Sequence, residues 1–138
     1  VFIVNSFLGF IGSYLGFDIS IQIILGYLFA PVAWLMGIPW GEAIVAGELL
    51  GLKTTLNEFV AYPALASLEP GILSDKSKLI TFYGLCGFAN FSSVGILVSG
   101  LGAMAPERKE DLIEVSFQAL VGATLASCMT GLIVGCLI

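Results

Sequence analysis

The sequence predicts an all-α integral membrane protein with a re-entrant helical hairpin and a broken transmembrane helix. Hydrophobic residues make up 58% of the 138 residues and charged residues only 11%, whereas soluble domains carry about 25% charged residues. Two of the apolar stretches are interrupted by weak helix formers, which is typical of broken helices. Four uncharged runs are each near or above the roughly 17–25 residues that cross a bilayer as a helix. They are Val1–Phe17, Ile19–Gly41, Leu79–Pro106 and Val115–Ile138.

The first part of the chain is predicted to contain one membrane-spanning helix and one interfacial helix. Val1–Phe17 is predicted to be a transmembrane helix or the end of one. Because the sequence begins with Val1 and not with Met, we expect a piece of a longer protein. Ile19–Trp40 is long enough to span, but Pro31 and Pro39 interrupt it. Its aromatic residues prefer the membrane interface, so an interfacial or re-entrant helix is favoured over a spanning one.

The next segment predicts a re-entrant hairpin over residues 42–68. Glu42–Leu56 has helical apolar spacing but would be only about 22 Å long at 1.5 Å per residue, too short for a hydrocarbon core of about 30 Å. Asn57 interrupts the pattern, and a second short helix follows over Glu58–Leu68. Two half-length helices between long apolar runs place the hairpin tip near Asn57.

The last part predicts a broken helix and a final spanning helix. Lys78–Ala105 is long and apolar, but its middle reads GLCGFANFSS, a run of weak helix formers. A break at that depth is tolerated only where the backbone is buried in protein or lines a cavity. After the polar loop Pro106–Asp111, the final helix is predicted over Glu114–Ile138.

Glu58 is the first candidate functional residue, because an ionised side chain at mid-bilayer costs at least about 2.5–3.5 kcal/mol. In a structural interpretation, Asn57 caps the second hairpin helix, Glu58 satisfies its N-terminal dipole, and Lys53 neutralises Glu58. In a functional interpretation, the carboxylate accepts hydrogen bonds from a polar solute such as a sugar. The residues alone leave both open.

Asn90 and Ser93 form the second candidate pair, on the broken helix. They are spaced to share one helix face, and both side chains can donate and accept hydrogen bonds. Their position just after the predicted break favours a cavity, while hydrogen bonding between helices is the alternative. Phe88 offers a flat apolar surface nearby, with ordinary packing as its alternative.

Several functions are excluded by what the sequence lacks. It contains no His, and its three cysteines have no CxxC spacing, so a metal site in this chain is not expected. No nucleophile–base pair is present, so the chain is not expected to be an enzyme. The net charge of −5 comes without a basic patch, so nucleic acid is not an expected partner.

The motif GLKTTLNEFVAY, Gly51–Tyr62, resembles the signature of the concentrative nucleoside transporter family. LCGFANFSSVGIL, Leu85–Leu97, resembles the broken-helix segment of the family, and GYLFAPVAWLMGIPW, Gly26–Trp40, is similar to the stretch before the hairpin. The resemblance covers nearly the whole chain and corresponds to the C-terminal part of a family member.

The resemblance implies an elevator-type transporter that assembles as a homotrimer in the plasma membrane, or in the inner membrane of a bacterium, with several spans per subunit. Residues 1–40 would be the end of a scaffold helix plus the interfacial helix. Residues 41–138 would belong to the transport domain, with the hairpin at 42–68, the broken helix at 78–105 and the last transmembrane helix at 114–138.

The resemblance also implies a function, the symport of purine or pyrimidine nucleosides with Na+, or alternatively H+, and no covalently bound cofactor. Glu58, Asn90 and Ser93 would bind the ribose and Phe88 would line the pocket, with Asn57 and Lys53 in support. The Na+ site is expected in the missing N-terminal part, which also holds the first hairpin. The alternative is a structural or channel-like membrane module in which Glu58 and Asn90 only stabilise packing.

Overall fold

The computed structural model describes residues 5, 6, 8–10, 14, 16 and 20–138. The predicted helix over Val1–Phe17 therefore lies largely outside the described residues. From residue 20 onward the chain forms six α-helices and no strand, and a 3-10 turn at Pro106–Arg108 runs directly into the last of them. The helices are α1 (Ile21–Leu35), α2 (Trp40–Thr55), α3 (Glu58–Ala66), α4 (Asp75–Leu85), α5 (Phe91–Met104) and α6 (Lys109–Leu137).

The helix α1 corresponds to the predicted interfacial segment but differs from the prediction at Pro31 and Trp40. Pro31 lies inside α1 and does not interrupt it, because close packing on α2 supports the helix around it: Ala30 and Ala33 are almost fully buried. The turn comes later, at Gly37 with φ of +96°, a backbone conformation that suits glycine. Trp40 already begins α2, which is bent by 117° from α1.

The helix α2 lies at the centre of the core. Its buried side chains pack against α1, α3 and α4. Small residues bring α1 and α2 into direct backbone contact, since a Cβ added to Gly47 would lie 2.6 Å from the carbonyl oxygen of Gly26. This close approach through small residues is the usual way in which helices associate in membranes.

The predicted hairpin is present as α2 and α3, which meet at a short tip formed by Leu56 and Asn57. At its open end, Glu42 ties the hairpin to the start of α4. The carboxylate accepts hydrogen bonds from the backbone N–H and the hydroxyl of Ser74, both at 3.0 Å. Ser74 is in turn the N-cap of α4, so α2 and α4 are fixed to each other at this end.

The predicted broken helix consists of α4 and α5, separated by non-helical residues 86–90. α4 begins at Asp75, slightly before the predicted Lys78, because the Ser74 cap and an acidic first turn extend it. α6 likewise begins at Lys109 and not at Glu114, since Glu110 and Asp111 suit a first turn. The polar loop before the final helix is therefore shorter than predicted.

One helical stretch among the described residues, Pro106–Leu137, is long and apolar enough to cross a bilayer by itself. The bent pair α1 and α2 meets the same criterion when taken together. Large apolar side chains remain exposed along α5 and α6, such as Ile96 and Phe117. These surfaces suit lipid or further protein better than water.

Candidate functional site

The hairpin tip places a carboxylate at the start of a buried half-helix. Asn57 is the N-cap of α3, and its side-chain oxygen accepts a hydrogen bond from the backbone N–H of Val60 at 3.1 Å. Glu58 follows as the first residue of α3 and is 7% exposed. The positive end of the α3 dipole therefore stabilises the Glu58 carboxylate.

The break between α4 and α5 places an amide at the start of a second half-helix. Asn90 is the N-cap of α5, and its side-chain oxygen accepts a hydrogen bond from the backbone N–H of Ser93 at 2.7 Å. Asn90 is 1% exposed. The two breaks thus use the same device, an asparagine cap in front of a half-helix.

The structure brings these two helix starts together. The side-chain N–H of Asn90 donates a hydrogen bond to Oε2 of Glu58 at 3.0 Å. The carboxylate therefore lies at the positive end of α3 and accepts a direct hydrogen bond from the N-cap of α5. Glu58 and the pair of Asn90 and Ser93, which the sequence selected separately, form one cluster at the meeting point of the hairpin and the broken helix.

Part of the hydrogen-bonding capacity of this cluster is left for a solute. Within the described part of the chain, Oε1 of Glu58 and the hydroxyl of Ser93 have no hydrogen-bond partner, yet no buried side-chain oxygen or nitrogen there is unsatisfied. Both oxygens must therefore reach the surface of the structure. Asn90 also carries a second side-chain N–H. The cluster can accept a hydrogen bond at Glu58 and donate one at Asn90, as a sugar hydroxyl requires.

A cavity of about 240 Å³ adjoins the cluster between α5 and α6. Its lining includes Phe88, Asn90 and Ser93, and apart from Ser116 the side chains that α5 and α6 add to it are apolar. Phe88 is 71% exposed, so its ring is available to a ligand. Glu58 is not part of the cavity wall and contacts it only through Asn90.

Lys53 has a different partner from the one that the structural interpretation of the sequence gave it. Lys53 and Glu58 attract each other electrostatically, but no nitrogen–oxygen pair between them lies within 4 Å. The Lys53 ammonium instead donates to the hydroxyl of Ser127 on α6 at 3.3 Å. Ser127 comes 74 positions after Lys53 in the sequence, so no local pattern could reveal the contact.

A second contact that the sequence did not reveal joins the hairpin to the broken helix. The hydroxyl of Tyr62 on α3 lies 3.2 Å from the carbonyl oxygen of Phe82 and 3.0 Å from the Cys86 sulfur.

As for metal sites, the described residues contain no group of three or more Cys, Asp or Glu side chains that could hold an ion.

Comparison with known proteins matches residues 1–135 to a family model described as the C-terminus of Na+-dependent nucleoside transporters. The chain is 44% identical over 121 residues to the nucleoside permease NupC of Helicobacter pylori, covering 85% of this chain and 29% of that protein. It is 36% identical over 149 residues to sodium/nucleoside cotransporter 1 of Mus musculus, covering 97% of this chain and 23% of that protein.

The fold also matches a solved structure, that of CNTnw in an inward-facing, substrate-bound state. The TM-score is 0.89 at 43% sequence identity, with 96% of this chain and 33% of that chain covered. The chain therefore spans about a third or less of the length of the relatives it matches.

The cap at the hairpin tip generates a stability prediction. Replacing Asn57 with Ala removes the acceptor for the Val60 N–H, and we expect a loss of about 1 kcal/mol of stability. Asn57→Ser, which keeps a capping oxygen, should retain most of it. Thermal unfolding of the full-length protein in detergent measures the difference. Equal unfolding temperatures for wild type, Ala and Ser variants would show that the cap contributes nothing.

Proposed function

This chain belongs to the concentrative nucleoside transporter family, and we propose that, as the C-terminal part of a family member, it supplies the ribose-binding half of a nucleoside site in a cation-coupled symporter. The hydrogen bond between Glu58 and Asn90 carries this proposal. It places a charged acceptor and an amide donor side by side at the starts of two buried half-helices. Discontinuous helices that meet in this way are where transporters hold their substrates.

The chemistry of the cluster fits the two adjacent hydroxyls of a ribose. One hydroxyl donates to the open Oε1 of Glu58, and the other accepts from the second N–H of Asn90. The Ser93 hydroxyl, on the same helix face as Asn90, adds a partner that can donate or accept. Phe88 lies at the mouth of the adjoining cavity and offers an apolar surface to the nucleoside.

The coupling ion, the assembly and the mechanism belong to the same proposal. The presence of a sodium/nucleoside cotransporter among the relatives supports Na+ as the coupling ion, with H+ as the alternative. The Na+ site and the contacts to the base lie outside this chain in the proposed arrangement. We propose that the full protein is a multi-pass homotrimer of the plasma membrane, and that residues 41–138 move with the transport domain in an elevator mechanism.

A packing role for Glu58 and Asn90 is the second candidate. Each asparagine caps its own helix, and the Glu58 carboxylate has the Asn90 amide as a partner, as a purely structural cluster would require. The two candidates differ in whether the cluster is needed for uptake or only for folding.

Replacing Glu58 with Gln in the full-length protein tests the site directly. We expect nucleoside uptake into liposomes to fall at least tenfold, because the ribose loses its charged acceptor while the shape of the side chain is kept. Glu69→Gln, in the exposed loop after α3, is the matched control and should leave uptake unchanged. Normal uptake by Glu58→Gln at an equal amount of inserted protein would leave only the packing role.

Substrate analogues test the ribose assignment independently. We expect 2′-deoxynucleosides and 3′-deoxynucleosides to compete for uptake about tenfold more weakly than the ribonucleoside, since each leaves a polar group of the site unpaired. The measurement is inhibition of labelled ribonucleoside uptake under an inward Na+ gradient and, in parallel, under a proton gradient. Equal competition by all three sugars would remove the ribose from this cluster.

A further inference from the structure

The two breaks create four helix ends close together, two of each polarity. The helices α3 and α5 begin there, where the first backbone N–H groups of a helix lack partners in their own helix, whereas α2 and α4 end there, where the last carbonyl groups lack them. At the start of each of these two helices, an asparagine side chain (Asn57 or Asn90) accepts a hydrogen bond from a backbone N–H, and the Glu58 carboxylate accepts one from Asn90. The C-terminal ends of α2 and α4 carry partial negative charge, which a positive group nearby stabilises.

Lys53 is that positive group. It lies in the last turn of α2 and is 1% exposed. Its ammonium donates a hydrogen bond to the Ser127 hydroxyl. That hydroxyl in turn donates to the carbonyl oxygen of Ala123 at 2.9 Å. The orientation of the hydroxyl is therefore fixed, with its lone pairs toward Lys53.

The break in the broken helix packs directly against this pair. A Cβ added to Gly87 would overlap the Ser127 oxygen and would lie 3.7 Å from the Lys53 nitrogen. Ser127 on α6 is thus in contact both with Lys53 of the hairpin and with Gly87 of the break. Lys53 lies shortly before Glu58 in the chain, and Gly87 shortly before Asn90.

We propose that Lys53 and Ser127 are positioning residues for the substrate site. They set the distance between the hairpin tip and the break, and through it the alignment of Glu58 with Asn90. This inference depends on the proposed function, because it assigns to that cluster the binding of a ribose. An apolar side chain would fill the place of Lys53 without the cost of burying a charge, so the ammonium itself has a role there.

Removal of the Ser127 hydroxyl is the mildest test. In the full-length protein in liposomes, we expect Ser127→Ala to raise the half-saturation concentration for the ribonucleoside about three- to tenfold, the size of one ordinary hydrogen bond, because its effect on the ribose is indirect. The value for the 3′-deoxynucleoside should change less, so discrimination between the two sugars falls. The maximal rate per inserted protein should stay within about twofold. Thr130→Val is the matched control, since Thr130 on α6 bonds only to its own helix.

Gly87→Ala approaches the same contact from the other side. The added methyl group displaces the Ser127 hydroxyl from Lys53, so we expect the same loss of sugar discrimination. In the double variant Gly87→Ala with Ser127→Ala, the overlapping oxygen is absent, and the effect should be no larger than that of the stronger single variant. Lys53→Met should lose discrimination completely; if it fails to insert, the two milder variants decide.

The outcomes separate this inference from the function on which it depends. If wild type discriminates between the sugars and Glu58→Gln does not, while Ser127→Ala and Gly87→Ala lower only the unfolding temperature, the positioning role is wrong and the function stands. Fully additive effects in the double variant would also contradict the inference. If wild type neither takes up nucleosides nor discriminates between their sugars, the proposed function fails and this inference fails with it.

Discussion

Buried helix ends are the constraint on which the rest of this structure depends. Wherever a helix stops inside a membrane, unpaired N–H or carbonyl groups are left without water, and each costs several kcal/mol unless the protein satisfies it. The helices of this chain are interrupted twice, at the hairpin tip and in the broken helix, and the two interruptions lie next to each other in the fold. The beginnings are satisfied by Asn57, Asn90 and the Glu58 carboxylate, and the ends lie beside the buried Lys53 ammonium.

The same groups that solve this problem create the candidate site. The Glu58 carboxylate lies at the start of one helix and accepts a hydrogen bond from the N-cap of another, and it keeps one oxygen for a ligand. Several elements contribute to the surroundings of this carboxylate. The helices α2 and α3 form the hairpin tip, α4 and α5 flank the break, and α6 holds Lys53 through Ser127. At the far end of the hairpin, Glu42 fixes α2 to the start of α4. The spacing between tip and break therefore follows from packing along the whole of α2.

Local patterns predicted the elements but not their contacts. Half-length apolar helices around Asn57, and the run of weak helix formers before Asn90, predicted both breaks, because each signal lies within a few neighbouring residues. Glu58 was identified by the cost of a charged group in an apolar run, and Asn90 separately by its position just after the predicted break. Their hydrogen bond, and the contact of Lys53 with Ser127, join distant positions and depend on how the helices pack, which no periodicity encodes. The position of Pro31 inside α1 shows the same limit, since packing on α2 overrides its tendency to break a helix.

The central claim is that the Glu58–Asn90 cluster binds the ribose of a nucleoside. The most direct measurement is an experimental structure of the full-length protein with a bound ribonucleoside. The account predicts two ribose hydroxyl oxygens within about 3.2 Å of the Glu58 carboxylate and the Asn90 amide, with the base beyond them toward parts of the protein outside this chain. A nucleoside bound elsewhere, with the Glu58–Asn90 hydrogen bond intact and no ligand contact to either residue, would contradict it.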